Sequence, residues 1–488
     1  MKNIKLLFLF IFLSSEVLCL AQTFRINYDT SFSSVPLSGR LYLMLERDTT
    51  RNPLDVPDRV EPEPFFAIDV KYWKPGDTVI INSRAEGFPC TLDKLPRGVY
   101  GIAAAFDINE DERISSWAEG NFLSRKQVIK LENKIYQIFL IRKVPFTQFN
   151  ETDRYKEIVL KSSLLSNFYN KSVFIKAAVI LPPSYFKQPN RSYPTVYIIP
   201  GFSGRHYNYN DFKWMFLQKK TLDKIYVILD PDGPLGNHVF ADSENNGPRG
   251  KSLIEEVIPA IEKQYRCISK ADARFLTGHS SGGWSSLWLQ VNYPDFFGGV
   301  WSTAPDPVDF RSFHNMDIYD PKTNVFLTTN GSARLLDRAT LPTKLTYQDF
   351  SNKDSVVRHG GQLGSFESVF SPRGQDGQPK KLWNRYNGSI DPEVAAHWKN
   401  YDIGLFIQNN WSTIGPKLKG KIHVYVGDQD LFYLDKPVEF LRKILDSLRA
   451  DAEVEIVKGY DHGSLIDSRQ MKNINQGIDR VFTQNFPK

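Results

Sequence analysis

From Val173 to Gly463 the chain repeats one arrangement, a short apolar run followed by a segment of helix length. The runs are "SVFIKAAVILP", "TVYIIPGF", "IYVILDPDG", "ARFLTG", "FFGGVWSTAPD", "KIHVYVGDQD" and "AEVEIVKGYDHG". Several are apolar almost throughout, and a strand of that kind needs cover on both faces. Helical patterns such as "SLIEEVIPAIEKQY" and "PVEFLRKILDSLR" between the runs supply that cover. The alternation therefore predicts an α/β fold built on a mostly parallel sheet. Functional groups in such sheets gather beyond the carboxyl ends of the strands.

The first part of the chain has a different period. Between Gln22 and about residue 150, "RLYLMLER", "PFFAIDVKYW", "DTVIIN", "GVYGIAAAFD" and "KIYQIFLIRKV" alternate at period two, punctuated by "KPGD" and "LPRG". Alternation without long helical patterns predicts a small β-sandwich. The stretch "PFTQFNETDRY" has neither period and marks a boundary near residue 150, with the α/β domain running from 151 to 488. Within that domain, residues 310–416 separate two strand candidates. An interval of that length carries structure of its own, so an inserted cap or lid over the site is expected.

At 488 residues, 41% of them hydrophobic, the chain has material for more than one core. Its first residues read as a signal peptide, residues 1–21: Lys2 and Lys5 precede an apolar run from Leu6 to Leu13, and Ala21 ends a small-residue site before Gln22. The run is shorter than the ~20 residues that span a bilayer. Acylation of Cys19 is the other reading, against which Leu18 is bulky. No later stretch is long and apolar enough to span, so the mature chain is expected to be exported to the periplasm or outside the cell.

Cleavage would leave Cys90 and Cys267, read as two buried thiols rather than a disulfide framework. The net charge of +6 is mild and no basic run interleaves with aromatics, which argues against nucleic acid as a partner. Sequons at Asn150, Asn170, Asn190, Asn330, Asn387 and Asn410 matter only in a host that glycosylates them.

Inside "RFLTGHSSGGWSSL", Gly278-His279-Ser280-Ser281-Gly282 fits G-x-S-x-G between a strand candidate and a helix start. A turn that tight requires glycine at 278 and 282, because a side chain there would collide with neighbouring elements. It would raise the Ser280 hydroxyl above the sheet over a helix N-terminus, with the Ser281 amide as one oxyanion donor. The loop "PGFSGRH" leaving "TVYII" offers the Phe202 amide as a second donor, with Gly201 allowing close approach.

A serine needs a base, and the base an orienting carboxylate. His462 follows the last strand candidate and Asp430 closes the one before, giving the chain order Ser280, Asp430, His462; Asp428 is the rival acid. A plain strand-to-helix turn is the bland reading of the motif. His279 reads as packing, and no histidine has metal-ligand spacing, so catalysis without a metal or other cofactor is the simpler expectation. Asp107, Asn109 and Asp111 begin like a calcium loop, but Glu112 and Ala118 stand where glycine and an acid belong, which favours a solvated turn.

These features together resemble the esterase branch of the α/β-hydrolases that contains esterase D, feruloyl esterases and enterochelin esterases. The resemblance runs from about Lys161 to the C-terminus and is carried by "PTVYIIPGFSG", "LIEEVIPAIEKQYR", "RFLTGHSSGGWSSL", "GDQD" and "YDHGS". It implies Ser280 as nucleophile, His462 as base and Asp430 as acid. It also implies a serine carboxylic-ester hydrolase acting on a small-molecule or glycan-linked ester, of acylated-carbohydrate or siderophore type. Pro200 replaces the histidine many relatives carry before the oxyanion-loop glycine, and the 310–416 insertion departs from the family. Asp232, His238 and Asn246 lie in a loop like the family's pocket loop. A peptidase, an acyltransferase or a binding protein that has lost catalysis would use the same scaffold.

Overall fold

Eight strands form the sheet that the apolar runs predict, in the order β10-β11-β13-β12-β16-β17-β18-β19. They are β10 (Tyr155–Ser162), β11 (Val173–Ile180), β12 (Thr195–Ile199), β13 (Ile225–Leu229), β16 (Arg274–His279), β17 (Gly299–Thr303), β18 (Ile422–Gly427) and β19 (Ala452–Val457). From β13 through β12 to β19 every pairing is parallel; β11 runs antiparallel to both of its neighbours. The computed structural model describes residues 22–58, 63–109, 111–113, 115–146, 148–208, 210, 215–216, 221–338 and 345–487. The expected signal segment, residues 1–21, lies outside the described residues.

β12, β13 and β17 are buried at every position, as strands sandwiched between helical layers must be. On one face the C-terminal helix Ser468–Asn485 packs Met471, Ile474 and Ile478 against Val196, Ile198, Phe275 and Trp301. On the other, the helix Ser281–Asn292 and the insertion share one continuous core with the sheet. The strand β10 escapes the apolar-run criterion because "YKEIVLKS" is a half-exposed edge strand with Lys156, Glu157 and Lys161 among its apolar residues.

The N-terminal residues form nine strands: β1 (Thr23–Tyr28), β2 (Leu37–Glu46), β3 (Phe65–Trp73), β4 (Val79–Ile81), β5 (Glu86–Phe88), β6 (Gly98–Asp107), β7 (Phe122–Ser124), β8 (Gln127–Leu131) and β9 (Ile135–Lys143). Hydrogen bonding joins them into one network rather than two separate sheets. β6 makes this possible, since it pairs with β2 along Gly101–Asp107 and with β7 at Ala105 and Phe106, while β8 adds to β6 at Gly98–Ile102. Phe24 and Ile26 of β1 and Tyr136 and Ile138 of β9 share a core with Leu41 and Leu43 of β2. Cys267 is buried, but Cys90 is only half-buried beside that core, and both thiols are free.

A ribbon of β14 (Asp242–Ser243) and β15 (Gly247–Pro248) precedes the helical stretch before the elbow. The insertion holds the helices Tyr347–Val357, Gln362–Phe370, Pro392–Trp398 and Ile403–Ile414. Their starts are written locally: Thr346 and Asp349 form a capping box, Asp391 caps ahead of Pro392, and Asp402 accepts from the Leu405 amide. The insertion is packed rather than suspended, for Phe370 lies 5.1 Å from the Trp284 ring of the elbow helix. Its helix Tyr347–Val357 also reaches the N-terminal sheet, where Val356 meets Tyr42, Met44 and Phe65.

One buried guanidinium ties these two parts. Arg40 of β2 pairs with Asp69 at 2.7 Å and Glu86 at 2.5 Å and donates to the Val356 carbonyl at 2.9 Å. Arg358 pairs with the same two carboxylates, which are 40% and 50% exposed. Exposure of the acids and the second arginine limit the loss in Arg40→Ala to about 2 kcal/mol. The expected result is a melting midpoint several degrees lower by circular dichroism; an unmoved midpoint would assign the tie to Arg358.

Candidate active site

Ser280 stands between β16 and the helix Ser281–Asn292 with φ 57° and ψ −124°, a conformation that costs a non-glycine residue about 1–3 kcal/mol. The neighbours show what enforces it. A Cβ on Gly282 would stand 1.9 Å from the Ile199 carbonyl oxygen, and one on Gly278 would stand 2.2 Å from the Gly282 carbonyl oxygen. The elbow therefore crosses the end of β12 in backbone-to-backbone contact. Ladder bonds hold it from the other side, where the Ser280 amide donates to the Thr303 carbonyl at 3.0 Å.

The predicted base and acid meet. His462 Nδ1 lies 2.8 Å from Asp430 Oδ2, and Asp430 is fully buried. A carboxylate oxygen accepts, so Nδ1 is the donor of this pair and Nε2 is left on the side of the ring away from Asp430. The other Asp430 oxygen accepts from the amides of Phe432 at 2.9 Å and Leu434 at 3.4 Å. The rival Asp428 turns elsewhere and accepts from the Gly459 amide at 2.7 Å, joining the turns beyond β18 and β19.

His462 packs edge-on to Phe432 at 5.1 Å and lies 4.7 Å from the His279 ring. His279 is bonded through Nδ1 to Thr303 Oγ1 at 3.2 Å, the packing role expected of it. Burial and then the neighbouring His462 push its pKa down to about 3. The insertion adds His314, buried and bonded to the Tyr347 hydroxyl at 3.1 Å; burial lowers its pKa to about 4.

The loop leaving β12 lies against the turn at Ser280. A Cβ on Gly201 would come within 3.2 Å of the His279 carbonyl oxygen and 3.5 Å of Ser280 Cβ, so Phe202 follows at the elbow itself. Ser281 is the first residue of its helix, where an amide has no intrahelical acceptor. The guanidinium of Arg113, from the N-terminal part, stacks on the Phe202 ring at 4.6 Å.

Just beyond this loop is a charge network that the sequence does not announce. Arg205 pairs with Asp230 at 2.9 Å, Asp232 at 3.2 Å and Glu112 at 3.5 Å, and His206 bridges Asp230 and Glu157 at 2.5 and 2.8 Å. Burial opposes the charge on His206, but hydrogen bonds to those two carboxylates hold its pKa above the usual histidine value. Asp230 is wholly desolvated, yet Arg205 and then His206 hold it well below the carboxylate range.

Three loop residues considered from sequence have structural partners. Asp232 and His238 line a cavity of about 260 Å³ with Arg205 and Arg249. Asp232 accepts from the Arg113 amide at 3.3 Å, and His238 Nδ1 accepts from the Phe240 amide at 3.1 Å. Asn246 donates to the carbonyl and hydroxyl of Ser368 in the insertion. The calcium-like turn is likewise engaged, with Asp107 accepting from Asn121 and Asp111 pairing with Lys171. Among the described residues no group of three His, Cys, Asp or Glu could hold a metal ion. No helix among them is long and apolar enough to cross a membrane.

The largest addition to the predicted set is Asp306, beyond the end of β17. Ser280 Oγ donates to Asp306 Oδ1 at 3.4 Å, Ser281 Oγ donates to Oδ2 at 2.5 Å, and the Asp306 amide donates to the Ser280 carbonyl at 3.2 Å. Among the described residues no hydrogen bond joins Ser280 Oγ to His462.

The chain is similar in sequence to parts of known proteins. Esterase Rv1288 of Mycobacterium tuberculosis is 29% identical over 136 residues, 27% of this chain, and the match spans 29% of that protein's length. Protein YbbA of Bacillus subtilis is 24% identical over 135 residues, 25% of this chain and 54% of that protein. Among solved structures, a ferulic acid esterase superposes with a TM-score of 0.44 at 15% identity, over 67% of this chain and 98% of that one. An S-formylglutathione hydrolase from Agrobacterium tumefaciens does so with a TM-score of 0.41 at 14% identity, over 67% and 95%. Residues 173–464 match the family described as "Putative esterase" over more than half of the chain, a span enclosing Ser280, Asp430 and His462. The chain belongs to that esterase family.

Proposed function

We propose that this protein is an exported serine carboxylic-ester hydrolase in which Ser280, His462 and Asp430 form a triad and an acyl-enzyme intermediate. The observation that supports it most is the 2.8 Å bond between His462 Nδ1 and buried Asp430 in a chain whose elbow holds Ser280 at φ 57°. Asp430 fixes the imidazole so that Nε2 is the base. Ser280 Oγ turns from Asp306 toward Nε2, gives up its proton and attacks the ester carbonyl. The amides of Ser281 and Phe202 receive the oxyanion, aided by the positive end of the helix Ser281–Asn292. The imidazolium then protonates the leaving alcohol, and water activated by the same base releases the acid. No step draws on a metal or cofactor.

The substrate class, an acylated carbohydrate or siderophore-type ester, rests on the sequence resemblance to feruloyl and enterochelin esterases. Export rests on Lys2, Lys5, the Leu6–Leu13 run and Ala21. A secreted product beginning at Gln22 by mass spectrometry is the expected result, and a retained residue 1–21 segment refutes it.

Hydrolysis of p-nitrophenyl acetate, p-nitrophenyl butyrate and a ferulate ester tests the chemistry. Ser280→Ala and His462→Ala are expected to lose about 10⁴-fold or more in kcat with circular dichroism unchanged. The wild type is expected to release free acid without an added acceptor and to leave peptides intact; acceptor-dependent turnover would make it an acyltransferase.

The two acids separate in a second experiment. Asp430→Asn is expected to cost about 10³-fold or more in kcat by disordering the imidazole, while Asp428→Asn stays within about threefold. Equal losses would remove Asp430 from the triad.

A further inference from the structure

We propose that Asp306 is a positioning residue for the nucleophile: its ionised carboxylate holds the Ser280 hydroxyl hydrogen in the resting enzyme, and its neutral form releases that hydrogen toward His462. This rests on the reading of Ser280 as nucleophile and adds a regulatory group to it.

The geometry carries the inference. Asp306 is 5% exposed and reaches the elbow three times, through both side-chain oxygens and its amide. The short bond from Ser281 Oγ, 2.5 Å, anchors one carboxylate oxygen, which leaves the other facing Ser280 Oγ at 3.4 Å. A carboxylate has no hydrogen to give, so both serine hydroxyls must point theirs at it. The Ser280 hydrogen is then directed away from the imidazole that has to take it.

Protonation reverses the polarity of that contact. Asp306 gains one proton from solvent, and the hydrogen on Oδ1 is donated to Ser280 Oγ. Ser280 keeps its own hydrogen, now free to rotate to His462, until Oγ attacks. No other bond forms or breaks.

Four groups face this carboxyl. Ser280 and Ser281 on the elbow and His462 beyond β19 favour its ionised form, whereas Asp430 beyond β18 opposes it. Burial is the largest influence, and the balance pushes its pKa up to about 6. The switch therefore lies inside the range where an exported protein works, and the held state predominates above it.

The rate of Ser280 labelling by a fluorophosphonate tests this in the full mature chain, because it reports activation of the serine without an ester substrate. General-base activation by His462 serves both wild type and Asp306→Asn, and removing the Asp306 charge beside it raises the quotient only toward low pH, the reverse of the expected change. Capture of the hydroxyl slows only the wild type, and only above the Asp306 pKa. The quotient of the Asp306→Asn and wild-type rate constants is thus expected to rise about fivefold as pH climbs through about 6. A quotient that stays flat with pH overturns the proposal, whatever its size, since a purely structural role moves amplitude and not shape. Ser281→Ala keeps the backbone amide and removes the bond that favours ionised Asp306. It is expected to shift the break in the wild-type profile to higher pH, and an unshifted break overturns the proposal even where Asp306→Asn does not fold. If no phosphonate labels wild-type Ser280 at any pH, the nucleophile reading itself fails, a result distinct from labelling with a flat quotient.

Discussion

The backbone contact between Gly282 and the Ile199 carbonyl is the constraint from which the rest of the catalytic face follows. With room for no side chain at that crossing, the chain leaving β16 must turn over the end of β12, and Ser280 takes the left-handed conformation that the turn demands. The same crossing brings the loop that leaves β12 at Pro200 against the elbow, so that Gly201 nearly touches His279 and Ser280. Ser280 and the loop through Gly201 and Phe202 are thus neighbours for one reason. The strain at Ser280, about 1–3 kcal/mol, is borne by parallel ladders on both sides: Ile199 pairs with Gly278, and Gly278 with Ser302.

A loop placed by one glycine contact still needs bracing, and charge supplies it. Arg205 and His206 directly follow the oxyanion loop and bind Asp230 beyond β13, Glu157 on the edge strand β10 and Glu112 from the N-terminal part. Arg113 extends the connection by stacking on Phe202 itself. The N-terminal sheet is therefore joined to the catalytic face at two places, this network and the Arg40 contact with the insertion. The unit thus contributes Glu112 and Arg113 to the contacts around Phe202 and Arg205.

Much of this was legible in the chain because the fold is written in periodicity. Seven apolar runs became seven strands of one sheet, and G-x-S-x-G between a strand and a helix marked the elbow before any coordinates. The sequence could not separate Asp430 from Asp428, since two carboxylates two residues apart on one turn differ only in direction. It also missed β10, whose lysines and glutamate belong to an edge, β5 and β7, which are only three residues long, and the short β1 and β8. Arg205 and Asp306 were silent for a different reason. A charged residue after a strand reads as a turn, and its partners lie 25 or more residues away in the chain.

The two carboxylates nearest Ser280 and His462 show how one centre can give the same functional group different kinds of partner. Asp430 meets three donors, two backbone amides and the imidazole Nδ1, and a backbone N–H cannot accept in return. Asp306 meets two hydroxyls, which donate or accept according to what faces them. A partner that only donates locks a carboxylate into one orientation, whereas a hydroxyl partner permits its hydrogen-bond polarity to reverse. Both acids are buried, so the chemistry of their partners, rather than exposure, distinguishes the carboxylate beside His462 from the one beside Ser280.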